Sequence, residues 1–247
     1  MIKSDTYKLI IGVFTTEWKR LLNDPIFFSM TLLRPYLWTL LLSEGIRHAM
    51  NVGDSLPFIS LLSYCIIFTG ITSAFSISWE RHQGFLKLWF VYGINNYKYI
   101  TGKLLYSCSL TLVIIIASTP IVAILNIPLN ISLVIKSIPD ILLAILLISN
   151  IGIFISSFLT RLDLFGLVIN FVLFPILFTS GTIYNISSNK CTSLIAMFNP
   201  YRWAMEPIKC NLMCNYECNE TFLISRAIIL FLCIIFFIGS VYFFEAD

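Results

Sequence analysis

The sequence predicts an all-α membrane protein with six transmembrane helices, an N-terminal interfacial amphipathic helix, and a re-entrant segment between helices five and six. Three observations predict it. Hydrophobic residues make up 58% of the 247-residue chain and charged residues only 12%, against roughly 45–50% and about 25% in soluble domains. Mean hydropathy is +0.88. Apolar runs near the length of about 20 residues that crosses roughly 30 Å of hydrocarbon recur along the chain, and helices leave no backbone group unpaired in lipid.

The opening stretch MIKSDTYKLIIGVFTTEWKRLLND carries acids and bases throughout and no small-residue cleavage site, so it does not read as a signal peptide. Tyr7, Ile10, Ile11, Phe14, Trp18, Leu21 and Leu22 recur at helical spacing, opposite Lys8, Gly12, Thr15, Lys19 and Asn23. This predicts an amphipathic helix over 5–24 lying in the membrane interface. Pro25 bars the helical conformation at Asp24, where the helix should stop.

Six spans follow: Pro25 to about Ser43, Leu56 to about Ile77, Leu104 to Leu125, Ile138 to Leu159, Leu164 to about Tyr184, and Ala227 to Phe244. Pro128 with Asn126 and Asn130 closes the third. Asp140 and Asp163 fall near span ends, where hydration asks no special role of them. Arg34 falls near the middle of the first span, where an arginine costs about 2.5–3.5 kcal/mol on insertion scales. It reads either as a contact for an anionic group in a substrate pathway or as a snorkelling side chain helped by Pro35.

An even number of spans puts both termini on one side. Placing them in the cytoplasm leaves more lysine and arginine inside (Lys8, Lys19, Arg20, Arg81, Lys87 and Lys103 among them) than outside, in the sense of the positive-inside rule. The acceptor sequons at Asn130, Asn185 and Asn219 then all face outward. The expected location is the cell membrane, and the expected organisation is one domain over 1–247 with two sizeable connections, 79–103 inside and 185–221 outside.

Several functions are disfavoured. The net charge of +3 is small and scattered, so no nucleic-acid face is expected. No phosphate-binding loop occurs, because Gly102-Lys103 has Tyr97 where the first glycine should be. Neither His48 nor His82 lies well inside a span, and the spans supply no pair of acids, so no catalytic residue and no metal site is expected. A passive channel or a structural multi-pass protein without an ATPase partner remains an alternative to an active transporter.

The inner connection, WERHQGFLKLWFVYGINNYKYITGK, places Phe85, Leu88, Trp89 and Tyr92 on one side of a short helix, with Arg81, His82 and Lys87 free to meet water or a partner. It reads as an interfacial loop or as a docking surface. The outer connection contains SLIAMF and NPYRWAMEP, apolar runs too short to span and interrupted by Pro200 and Pro207. These suit half-helices that dip in and return, or a packed outer loop, and Arg202 and Glu206 stand at i, i+4, where they can pair. Cys191, Cys210, Cys214 and Cys218 all lie in this loop. On an oxidising side they favour disulfides, with three pairings possible; free thiols and a metal-binding helix face are the alternatives.

The register E-R-x-x-G-x-L-x-x-L-x-V is met by Glu80, Arg81, Gly84, Leu86 and Leu88 to Val91, with Trp89 at one apolar position, and it is followed by Gly102-Lys103. This resembles the first cytoplasmic loop of ABC-2 type permeases. EWKRLLNDP (Glu17 to Pro25) is similar to that family's interfacial connecting helix, and SGTIYN (Ser180 to Asn185) with NPYRWAMEPIK (Asn199 to Lys209) to its outer segment, so the resemblance covers almost the whole chain in order. It implies a transmembrane subunit of an ATP-binding cassette exporter that carries a drug, lipid or polysaccharide outward. It also implies a second permease subunit, identical or different, and a separate cytoplasmic ATPase that binds ATP and magnesium, leaving this chain without a cofactor. Glu17, Glu80, Arg81 and Gly84 would couple to the ATPase, and Asn199, Pro200, Arg202 and Glu206 would belong to the outer gate.

Overall fold

A computed structural model describes residues 2–50, 56–124, 130–159, 161–183, 190–212 and 222–244, and every element among them is helical. Helix α1 (Ile2–Asn23) is followed at once by α2 (Pro25–Met50). The break falls at Asp24, as the proline requires, and the Asp24 carboxylate accepts the Phe27 amide at 3.0 Å to cap α2. Then come α3 (Leu56–His82), the short α4 (Phe85–Val91), α5 (Asn96–Ile124) and α6 (Ile131–Phe158). After α6 lie α7 (Leu162–Val168), a π-helical turn over Ile169–Leu173, and α8 (Phe174–Phe178). Helices α9 (Lys190–Met197), α10 (Pro200–Leu212) and α11 (Phe222–Phe243) complete the chain.

Four helices among the described residues are long and apolar enough to cross a membrane: Pro57–His82, Asn96–Ile124, Ile131–Phe158 and Leu223–Phe243. They correspond to the predicted second, third, fourth and sixth spans. Of the other two, α2 carries Arg34 with Pro35 inside it, and the fifth reaches only from Leu162 to Phe178. That segment stops short of the expected Tyr184 because the chain turns through Ser180 and Gly181, the latter at φ 70, a conformation only glycine adopts cheaply.

Helices α3 and α6 form the centre, burying Ile59, Leu62 and Ile66 against Ile145 and Ile148. Their close approach depends on glycine: a Cβ on Gly152 would stand 2.7 Å from the Gly70 carbonyl oxygen. Small residues of this kind let helix backbones pack where lipid supplies no hydrophobic drive between helices. Hydroxyls then bind the helices crosswise. Thr111 on α5 donates to Thr69 on α3 at 2.6 Å, and Ser107 on α5 lies 2.6 Å from Ser149 on α6. By contrast α11 keeps Leu223, Phe231, Ile234 and Ile238 exposed, an apolar face suited to lipid.

The helices overrun the apolar stretches that announce them. Helix α3 continues past Ile77 to His82, and α5 begins at Asn96 rather than at Leu104, so Glu80 and Lys103 stand on helices. Helix α6 begins at Ile131, which corrects the reading of Asp140 as a hydrated end residue. Asp140 is buried, accepting from Arg226 Nε and Nη2 at 2.7 and 2.8 Å and from Asn211 at 3.2 Å. Of the sequons, Asn185 and Asn219 lie outside the described residues, while Asn130 caps α6 by accepting from the Ser132 amide.

Replacing Gly152 with valine should lower the thermal unfolding midpoint of the detergent-purified protein. The loss expected for overpacking a helix contact is about 1–3 kcal/mol, and an unchanged midpoint would show that α3 and α6 are not in close contact.

Candidate functional site

Three helices each bring a polar pair at helical spacing to one point near the end of the bundle where α3 turns into α4. Glu17 and Arg20 share a face of α1, Ser76 and Glu80 one of α3, and Tyr99 and Lys103 one of α5. The Lys103 ammonium is fully buried and donates to Glu17 Oε1 at 2.7 Å, Glu80 Oε1 at 2.9 Å and Ser76 Oγ at 2.7 Å. Ser76 in turn donates a hydrogen bond to Glu17 Oε2 at 2.7 Å, and Tyr99 donates to Glu80 Oε2 at 2.6 Å. Arg20 closes the cluster from the rim, its Nη1 3.4 Å from Glu80. Two acids thus meet two cations, and the Ser76 and Tyr99 hydroxyls fill remaining hydrogen-bond sites, as buried charges require.

The geometry sets the protonation of Glu17. Burial alone would push its carboxyl up, but the Lys103 ammonium, with the hydrogen bonds that Lys103 and Ser76 donate, holds it down to about 2. Helix α1 reaches this site because Gly102 on α5 has no side chain: a Cβ there would stand 2.7 Å from Val13 Cβ. Trp18 adds a hydrogen bond to Ser109 at 2.9 Å.

Arg81, adjacent to Glu80 but on another face of α3, points to α6. Its Nη1 donates to the carbonyls of Ser156 at 3.0 Å and Leu159 at 2.8 Å, capping the helix end where unpaired carbonyls and the negative end of the dipole attract a cation. Asn96 does the same for α11, donating to the Val241 and Phe244 carbonyls at 3.1 and 2.8 Å. Gly84 stands at φ 75 with nothing near its missing Cβ, so the turn into α4 asks for glycine through conformation and not through space. Gly93, at φ 79, ends the segment in the same way. Between these turns α4 buries Leu86 and exposes Phe85, Leu88, Val91 and Tyr92. A cleft of about 610 Å³ separates α1 from α4, lined by Lys19, Arg20, Phe85, Leu88, Trp89 and Tyr92 among others.

The family resemblance implies contacts of Glu17 and Glu80 with a partner. Their carboxylates are instead buried in the bundle, because Lys103 needs both, and Arg81 is committed to the end of α6. The exposed candidates are the apolar residues of α4 and the basic rim of α1. Lys103 was visible in the sequence only as half of the Gly102-Lys103 pair. The recurring i, i+3 and i, i+4 spacing of acid, hydroxyl and base on α1, α3 and α5 is the signal that points to it.

At the other end of the bundle the segment containing Ser180 is tied to α10. Lys209 donates to the carbonyls of Ser180 at 3.1 Å and Gly181 at 2.6 Å; burial pushes its ammonium down to about 8, with Glu206 acting in the opposite sense. Asn199 caps α10 through the Tyr201 amide and donates to Ile176 O at 2.7 Å and Thr179 Oγ1 at 2.8 Å. Pro200 is the first residue of α10, where a proline sacrifices no hydrogen bond. Arg202 and Glu206 pair at 3.2 Å along α10. Cys210 is half-buried on α10, while Cys214, Cys218 and the side chain of Cys191 lie outside the described residues, and the disulfide expectation with them. Arg34 lies apart from both ends, over the Phe68 ring.

Residues 8–213 match the sequence profile described as ABC-2 type transporter. No curated protein matches the chain.

Replacing Lys103 with methionine leaves two buried carboxylates without their cation and should cost about 3–5 kcal/mol of stability, read as a lower unfolding midpoint that adding Glu17→Gln partly restores. The depressed Glu17 pKa also carries a sign. Its contribution is fully present above the ordinary value of 4.5 and is lost as pH falls towards 2. An acid titration of the unfolding midpoint should therefore drop over that window in the wild type and be flatter in Glu17→Gln.

Proposed function

The chain belongs to the ABC-2 type transporter family, and from that premise we propose that it moves an amphipathic substrate outward, using ATP hydrolysed on a separate cytoplasmic subunit. It is a multi-pass transport protein and the permease part of an ABC transporter. The observation that carries the fuller reading is the exposed apolar face of α4 lying beside the buried Glu17–Lys103–Glu80 cluster. A partner seated on Phe85, Leu88 and Tyr92 would bury apolar surface at the centre of its contact, with Lys19 and Arg20 at the charged rim.

In this reading α4 receives the movement and the cluster distributes it. Helix α4 follows α3 through the Gly84 turn, while Lys103 holds α1, α3 and α5 to one point. A displacement of α4 or α1 then moves the inner ends of α3 and α5 together. Glu17, Glu80, Arg81 and Gly84 thus act in coupling by holding helices in place and not by touching the ATPase. The nucleotide cycle shifts the balance between inward-open and outward-open states of two paired permease subunits, and the substrate's preference between those states gives the direction. ATP and magnesium stay on the ATPase, so this chain supplies no catalytic residue.

The same reading makes 1–247 one transmembrane domain of six spans in the cell membrane, with both termini cytoplasmic. Helices α9 and α10, 8 and 13 residues long, are each too short to span and serve as the re-entrant outer gate. Asn199 and Pro200 set the turn between them, and the Arg202–Glu206 pair lies on the gate's flank.

The experiment is co-purification. Leu88→Glu, placed on the exposed face of α4, should abolish recovery of a P-loop ATPase with the permease while leaving the unfolding midpoint within about 0.5 kcal/mol of wild type. Undiminished ATPase recovery would sink the docking assignment. Arg81→Ala should do the reverse, lowering the midpoint through the lost α6 cap.

A further inference from the structure

Arg34 is the charge that neither end of the bundle explains. It stands nine residues beyond Pro25 on α2, about 14 Å along the helix at 1.5 Å per residue, which is near mid-depth of a layer about 30 Å thick if α2 is the first span of the transport reading. Its guanidinium lies 4.0 Å from the centre of the Phe68 ring. A ring face offers such a group no lone-pair acceptor, and its five N–H donors still need acceptors. Among the described residues, no carboxylate, carbonyl or hydroxyl accepts from it.

A second unsatisfied group stands beside it. Tyr64, one helical turn before Phe68 on α3, is 3% exposed, and its buried hydroxyl has no acceptor among the described residues, the Trp38 indole beside it being able only to donate. The Tyr64 hydroxyl and the Arg34 charge act on each other. Both groups lack an acceptor, and an acceptor next to a guanidinium in apolar surroundings is best charged, since charge-assisted hydrogen bonds are the strong ones. The walls are aromatic: Tyr64 packs on Phe68 with ring centres 4.8 Å apart and on Trp38 at 5.2 Å. Trp38 and Leu37 keep exposed surface on the same stretch of α2, which leaves the place open on one flank.

We propose that Arg34 and Tyr64, walled by Trp38 and Phe68, form an intramembrane site for the carboxylate or phosphate head of an anionic amphiphile, whose apolar part lies along the aromatic rings. Its use as a cargo contact rests on the transport reading; its existence as a binding site does not. The same head-group chemistry is offered by a transported molecule and by an anionic lipid.

The test uses the full chain in phosphatidylcholine nanodiscs without nucleotide or partner, and reads the anisotropy of a dodecanoate carrying a terminal fluorophore. Wild type should bind it and should release it to dodecyl phosphate but not to dodecyltrimethylammonium. Arg34→Gln should weaken binding about tenfold or more, Tyr64→Phe several-fold, and Arg34→Lys less than Arg34→Gln, since a charge remains without its planar fork. Equal affinity in wild type, Arg34→Gln and Tyr64→Phe, with unfolding midpoints showing that all are folded, overturns the site. Adding phosphatidylglycerol to the nanodiscs separates the sources: displacement of the probe identifies a lipid headgroup as the occupant, and undiminished binding identifies a free amphiphile. Stimulation of ATPase activity by dodecanoate in the assembled complex tests the transport reading independently, because its absence leaves the nucleotide-free binding result standing.

Discussion

A single buried ammonium organises one end of this protein. Lys103 has no contact with solvent, and in such surroundings a cation persists only where opposite charge and hydrogen-bond acceptors come to it. The acceptors are Glu17 from α1 and Glu80 from α3, with Ser76 and Tyr99 filling the positions left over. An amphipathic helix that could otherwise float along the membrane surface is thereby fastened to the transmembrane bundle. Gly102, one residue away, supplies the space for that contact, and Arg81 and Asn96 cap the neighbouring helix ends.

The far end repeats the device with different residues. Asp140 on α6 binds Arg226 on α11 and Asn211 on α10, and Lys209 on α10 holds the carbonyls of the turn at Ser180 and Gly181. Between these two polar ends the bundle is held by apolar packing, glycine contacts and hydroxyls bonded across helices. Charge clusters of this kind have discrete geometries, whereas an apolar interface lets helices slide by small amounts. A bundle clamped at both ends and smooth in the middle is suited to moving its helices as groups. Arg34 departs from this division, a charge in the smooth part with only an aromatic face beneath it.

Helix α4 is a short element with a largely exposed apolar face. Buried Leu86, with half-buried Trp89 and Phe90, holds it down, and two glycines in left-handed conformation join it to its neighbours. It therefore offers its apolar face outward while staying mechanically continuous with α3. The charged residues that first draw attention in this segment, Glu80 and Arg81, belong to the end of α3 and face inward. Their chemistry serves the frame on which α4 is mounted.

Much of this could be read from the residues alone, because it depends on properties that each residue carries locally. Apolar composition determined that the chain enters a membrane, helical periodicity determined the amphipathic α1, Pro25 its end, and Gly84 and Gly93 the bounds of α4. The order of short motifs determined the family. What only the tertiary structure decided is pairing. Lys103 lies 86 residues from Glu17 and 23 from Glu80, and Asp140 lies 86 from Arg226, so no local pattern ties them. The helix ends were also misjudged, since hydropathy marks where a helix meets lipid and not where its hydrogen bonds stop. Asp140 reads as a hydrated end residue for that reason. Burial of a charge is decided by which helix faces meet, and that depends on the contacts of the whole bundle rather than on any one stretch of chain.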